Sequence, residues 1–142
     1  MKIRQAVGAV VFQKNEYLLV HKIKNIDSET DIIGHWDFPK GGVEKSDKDI
    51  ENAILRELRE ETGSDNYRII KRFDNEICFT FPKGYKYDMQ ETVMFYVEYQ
   101  GDREDLASQD EEIDDVKFFS KDVLMKTLFL EETREFLYEI KL

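Results

Sequence analysis

The run Arg56-Glu57-Leu58-Arg59-Glu60-Glu61-Thr62-Gly63 gathers three carboxylates within little more than one helical turn. On a helix at about 100° per residue, Glu57 and Glu61 fall roughly 40° apart, and Glu60 lies about 60° from Glu57 on the other side. Ile50, Ala53 and Ile54 share that side. The acids therefore overlap the apolar stripe, whereas solubilising acids occupy the opposite face. Like charges at this spacing repel, by roughly 0.2–0.5 kcal/mol when exposed and by more when desolvated. A divalent cation removes the penalty, and carboxylate oxygens are the ligands Mg²⁺ and Mn²⁺ prefer. The helix alone leaves a second reading open, in which Arg56 and Arg59 neutralise a solvated acidic surface.

Other elements must position this helix. Residues 6–12 and 17–23 are β-rich runs around Gln-Lys-Asn-Glu and read as a hairpin. Residues 24–35 are polar and aperiodic, a loop. Trp36 to Phe38 reads as a very short strand ending at Pro39, after which Gly41-Gly42 should break regular structure. Ser46 or Asp47 is the expected N-cap, with helix to about Thr62 and Gly63 placed for a left-handed C-cap. Two more β-rich stretches, 67–81 and 90–99, flank a second copy of the tetrapeptide Phe-Pro-Lys-Gly at 81–84; the first copy is at 38–41. An acidic loop over 101–114, a short strand over 116–119 and helices over 121–128 and 131–140 complete the chain. The pattern predicts an α/β (α+β) fold with a mixed sheet, not a doubly wound parallel sheet.

Composition sets bounds. A chain of 142 residues, 41% hydrophobic and 37% charged, reads as one soluble globular domain, 1–142. No apolar run approaches the ~20 residues needed to span a bilayer. The N-terminal apolar stretch reads as a strand, not a signal peptide. The single cysteine, Cys78, forbids an intrachain disulfide, fits a cytoplasmic setting and, between Ile77 and Phe79, is expected to be buried. A net charge of −10 argues against long nucleic acid as a partner, yet leaves room for a small phosphorylated ligand in a locally basic pocket.

From Gly42 the chain runs GVEKSDKDIENAILRELREETGS, which resembles the signature of the Nudix hydrolases. Gly42, Arg56, Glu57, Leu58, Glu60, Glu61 and Gly63 match in register. Two positions depart: Lys48 stands where the first signature Glu belongs, and Ser64 where an aliphatic residue belongs. Asp47, one residue earlier, is the natural substitute for that Glu. The approach HWDFPKGG and the segment EEIDDVKFF resemble the asymmetrical dinucleoside tetraphosphate hydrolase subgroup.

The resemblance implies a Nudix-type α/β/α sandwich and water-driven hydrolysis of a nucleoside diphosphate linked to another group. It implies Mg²⁺ or Mn²⁺ on Glu57, Glu60 and Glu61, Glu60 or Glu112 as general base, and Arg56 orienting the acids. By the same resemblance Lys40 and, more weakly, Lys83 would face phosphate, with His35 near the phosphate chain and Gly41-Gly42 at the turn into the helix. Phe129 and Tyr87, with Phe81 behind them, are stacking candidates for a base. The expected substrate is a small nucleotide of the diadenosine tetraphosphate type. The alternatives are RNA 5′ ends, nucleoside triphosphates or diphosphoinositol polyphosphates, or a nucleotide-binding module without turnover.

Overall fold

The computed structural model describes residues 1–23 and 34–142; most of the loop expected over 24–35 lies outside them. The elements run β1 (Ile3–Gln13), β2 (Glu16–Lys22), β3 (His35–Asp37), β4 (Lys40–Gly42), α1 (Ile50–Thr62), β5 (Tyr67–Thr80), β6 (Met89–Tyr99), β7 (Ile113–Ser120), α2 (Lys121–Thr127) and α3 (Glu131–Ile140). The strands form one mixed sheet in the order β3-β2-β1-β6-β5, with β4 also pairing β1 and β7 also pairing β2. The β1–β6 pair is parallel and the remaining pairs are antiparallel.

Alternation along the strands assigns the two faces. Val7, Ala9 and Val11 of β1 and Val93, Phe95 and Val97 of β6 pack with Ala53, Ile54 and Leu58 of α1. Val10 of β1 and Met94 of β6 face Leu124 of α2 and Phe136 and Leu137 of α3 on the opposite side. The result is the expected sandwich, with α1 on one face and α2 and α3 on the other.

Three local expectations change. Gly41-Gly42 does not break the sheet: Lys40–Gly42 pairs antiparallel with Ala6–Gly8. Close packing explains this, because a Cβ at Gly8 would come within 2.8 Å of Lys40 Cγ and 2.6 Å of Met94 Sδ. The helix N-cap is Asp49, not Ser46 or Asp47, and its carboxylate accepts from the Asn52 N–H at 2.8 Å. Cys78 is exposed. It pairs with Glu91, whereas its neighbour Ile77 faces the core, so the strand alternation turns the thiol outward. The expected C-cap holds: Gly63 adopts φ 83° and its N–H bonds the Arg59 carbonyl.

Candidate active site

Glu57 and Glu61 are buried on α1, 8% and 4% exposed, whereas Glu60 is exposed. The helix seats them against β4. The backbone N–H of Lys40 donates to Glu61 Oε1 at 3.0 Å. A Cβ at Gly41 would fall inside the Glu57 carboxylate, so a larger residue here would displace that carboxylate. Burial pushes Glu61 up to about 8; Lys22 pulls against that shift, and the charge of Glu57 adds to it. Burial also raises Glu57, against the pull of Arg56. Two desolvated carboxylates on one wall are costly without a cation, and their hard oxygens suit a divalent ion. Among the described residues, no three acidic, His or Cys groups stand preassembled as a metal cage. Glu60 stands apart from the buried pair, its carboxylate 3.2 Å from the guanidinium of Arg56.

Arg56 ties this wall together. Its Nε and Nη2 donate to the two oxygens of Asp47 at 2.8 and 2.9 Å. Its Nη1 donates to Glu57 at 2.9 Å, and its Nη2 also reaches the Gly42 carbonyl at 2.9 Å. Asp47 in turn accepts from the Glu44 N–H at 2.8 Å. Hydrogen bonds from Arg56 pull the Asp47 carboxyl down to about 2, and the same bonds raise the Arg56 guanidinium. The departure at Lys48 is thus compensated one residue earlier: Asp47 braces the loop onto the helix while Lys48 is exposed.

The first Phe-Pro-Lys-Gly copy places Lys40 differently from a surface phosphate ligand. Its amine is buried, 2.6 Å from Thr133 Oγ1 of α3 and 3.1 Å from Asp37 Oδ1. Asp37 is 2% exposed and also faces the Lys22 amine at 3.6 Å. Burial works to raise the Asp37 carboxyl, but Lys40 and Lys22 outweigh it and hold it below its ordinary value. Burial lowers the Lys40 amine, and Asp37 does not fully offset it. Burial works to lower Lys22 too, but Glu61, Asp37 and Glu57 together raise it. Lys22 and Asp37 were not legible as site residues. The only signal was a lysine closing the apolar strand YLLVHK.

His35 pairs across from Lys22, and its ring lies 5.6 Å from that of Phe129, which is 62% exposed. The buried Nδ1 of His35 has no hydrogen-bond partner among the described residues, and burial lowers the imidazole. Glu112 sits where the acidic loop returns to the sheet: its carbonyl accepts from the Ile23 N–H at 2.9 Å. The same loop caps the end of α1, with the Gln109 N–H donating to the Glu60 carbonyl at 3.1 Å. Lys83 and Tyr87 lie at the β5–β6 turn, where Gly84 adopts φ 97°. They do not converge with Lys40. Strands β1 and β6 separate β4 from β5, three inter-strand steps of about 4.8 Å each.

A Gly-Gly strand, an arginine-braced acidic helix and a sandwiched mixed sheet together define the class. The NUDIX domain model matches residues 2–140, and the chain belongs to this family as a Nudix pyrophosphohydrolase. It is 34% identical over 123 residues to an RNA pyrophosphohydrolase of a Nitratiruptor species, covering 82% of this chain and 77% of that protein. It is also 34% identical over 101 residues to an RNA pyrophosphohydrolase of Campylobacter jejuni, where the match spans 67% of this chain and 64% of the relative. Among solved structures it is similar in fold to a C. elegans Ap4A hydrolase binary complex. That likeness has a TM-score of 0.70 at 20% identity, over 96% of this chain and 94% of the other. It is also similar to the NUDIX domain of Shewanella oneidensis NrtR complexed with ADP ribose (TM-score 0.71, 18% identity, 99% and 88% covered). Among the described residues, no helix is long and apolar enough to cross a membrane.

Proposed function

We propose that this protein hydrolyses an anhydride bond of the polyphosphate at an RNA 5′ end. The observation that carries this reading is the 34% identity, over 82% of the chain, to a protein named RNA pyrophosphohydrolase. It reverses the order expected from the tetraphosphatase-like motifs. The net charge of −10 is no obstacle, because phosphate recognition depends on local lysines and not on the chain's total.

Glu57, Glu60 and Glu61 would hold a divalent ion, Mg²⁺ or Mn²⁺. Such an ion, when bound, neutralises polyphosphate charge and acidifies a water. The chain's own groups do the rest. Arg56, fixed by Asp47 and the Gly42 carbonyl, holds the Glu57 and Glu60 carboxylates in place. Glu60, exposed at the mouth, or Glu112, on the loop that caps α1, accepts the proton of the attacking water. Gly41 lets the β4 backbone approach the Glu57 carboxylate, and Gly42 leaves room for the guanidinium of Arg4. Lys40 acts from beneath, anchoring β4 to Asp37 and α3, and Lys22 supplies positive charge beside the acids.

The second reading, a dinucleoside polyphosphate, rests on one observation: the exposed Phe129 ring beside His35 offers a stacking surface for a nucleobase. A competition assay separates the two. With Mn²⁺ or Mg²⁺ present, 5′-triphosphate RNA should be consumed with a higher kcat/KM than diadenosine tetraphosphate. Faster turnover of the dinucleotide would overturn the RNA reading in favour of the second.

A further inference from the structure

Ser64, the second departure from the signature, is 1% exposed, and an aliphatic side chain there could make none of the bonds it makes. Its hydroxyl donates to Asp105 Oδ2 at 2.5 Å and accepts from the Asn66 N–H at 3.0 Å. The side-chain amide of Asn66 donates to the same Asp105 oxygen at 2.7 Å. The other oxygen, Oδ1, accepts from the hydroxyl of Tyr99, which is itself 1% exposed. The Tyr99 hydroxyl in turn accepts from the Arg103 N–H at 2.8 Å. Asp105 thus ties the end of α1, the approach to β5 and the end of β6 to the acidic loop between β6 and β7. Hydrogen bonds from Ser64, Tyr99 and Asn66 hold its carboxyl below the ordinary value, so the hub stays ionised and strongly accepting.

From this hub the loop runs along the C-terminal end of α1. Leu106 packs against the core face that α1 covers. The Ala107 N–H donates to the Thr62 carbonyl at 2.8 Å, just before the Gln109 bond to the Glu60 carbonyl. The two segments touch closely, since a Cβ at Gly63 would come within 2.1 Å of the Ala107 carbonyl oxygen. The Ser108 hydroxyl then accepts from the Asp110 N–H at 3.1 Å, and Asp110 Oδ1 accepts from the Glu112 N–H at 2.9 Å. Burial raises the Glu61 carboxyl, and the charge of Asp110 adds to that rise, which puts this stretch of loop beside the acidic wall. A succession of hydrogen bonds therefore leads from Asp105, along the helix that bears the acids, to Glu112.

We propose that Asp105 and Ser64 form a clasp that sets the position of Glu112 over the acidic helix. Both are positioning residues: they touch neither the acids nor the phosphates, and they act by fixing the register of the loop against α1. The proposal rests on the reading above in which Glu112 accepts the proton of the attacking water. It also gives the serine in the signature a use that an aliphatic residue could not serve.

Kinetics on 5′-triphosphate RNA and amide hydrogen exchange test the clasp together. A misplacement of about 1 Å costs up to about a hundredfold in rate, so Asp105→Ala should lower kcat by about tenfold to a hundredfold, with KM and Mn²⁺ affinity changed by less than about twofold. Ser64→Ala, which removes one hydroxyl, should lower kcat in the same manner by about threefold. Glu112→Gln should itself lower kcat, and adding Asp105→Ala to it should cost less than about twofold more, because both changes act on one proton transfer. A merely structural role would lower Tm without this loss of additivity. Without any substrate, Asp105→Ala should speed amide exchange over residues 106–113 by about tenfold or more, while the interior of α1 stays protected. Circular dichroism checks folding, and Ser64→Ala carries the same cycle should Asp105→Ala fail to fold. Equal losses of kcat with and without the Glu112 carboxylate, full turnover by Glu112→Gln, or wild-type exchange in both variants overturns the proposal. If the wild type leaves triphosphate RNA intact, the RNA-end reading fails, while the exchange and the same cycle on diadenosine tetraphosphate still decide the clasp.

Discussion

Replacing Asp47 by alanine tests how this chain holds its acidic helix without the signature glutamate. The substitution removes both charge-assisted bonds from Arg56, at 2.8 and 2.9 Å, and the bond from the Glu44 N–H. The Asp47 side chain is only 5% exposed, so screening by solvent is limited. The drop in its pKa from 3.8 to about 2 corresponds to about 2 kcal/mol. For a chain of this size that is a loss of about 6–8 °C in Tm. The folded-state value lies below the unfolded one, so the stabilisation is present above the unfolded value of 3.8 and disappears as pH falls through about 2. The difference in urea stability between wild type and Asp47→Ala should therefore be full at pH 7 and shrink steadily below pH 4. Lys48→Ala should change stability by less than about 0.5 kcal/mol at any pH, because Lys48 is exposed. A neutral Asp47→Ala, or a Lys48→Glu variant that rescues it, would refute the reasoning.

Other outcomes follow from the same geometry. Glu61→Gln removes a charge that burial already disfavours; without metal its Tm should match or exceed the wild type, while turnover drops by about a hundredfold or more, measured by product release. Gly41→Ala should displace the Glu57 carboxylate and weaken Mn²⁺ binding in calorimetry, with little change in circular dichroism. Lys40→Ala removes the nearer of the two lysines that pair with buried Asp37, leaving the longer Lys22 contact, and should cost about 3 kcal/mol in urea unfolding. A stable Lys40→Ala variant with a much higher KM would instead make Lys40 a direct phosphate ligand.

Periodicity and turn chemistry made much of this architecture legible. The overlap of acids with the apolar stripe marks α1 independently of its packing, and the two acids nearest that stripe, Glu57 and Glu61, are the buried ones. Gly63 was legible because only a left-handed cap suits it. What escaped the sequence depends on long-range contacts. β4 exists because Gly8, far away in the chain, leaves space for Lys40. The Lys22–Asp37–Lys40 cluster needs β2, β3 and β4 brought together with α3, and no local pattern encodes that. Cys78 departs from its expected burial because strand alternation, not the apolar character of its neighbours, decides which way each residue points. Asp47 could be recognised as a substitute for the missing glutamate, but not as the bidentate partner of Arg56. The repeated Phe-Pro-Lys-Gly is one tetrapeptide in two settings: one copy buries its lysine under the acidic wall, and the other exposes its lysine on an aromatic turn.

The most direct test of the central claim is hydrolysis of a 5′-triphosphate RNA by the wild-type chain, followed with and without a chelator of divalent cations. The account expects a 5′-monophosphate product in the presence of Mg²⁺ or Mn²⁺. It expects activity to vanish on chelation and return when the ion is restored. Hydrolysis that continues unchanged under chelation, or a folded protein that leaves the 5′ end intact with either ion, would contradict it.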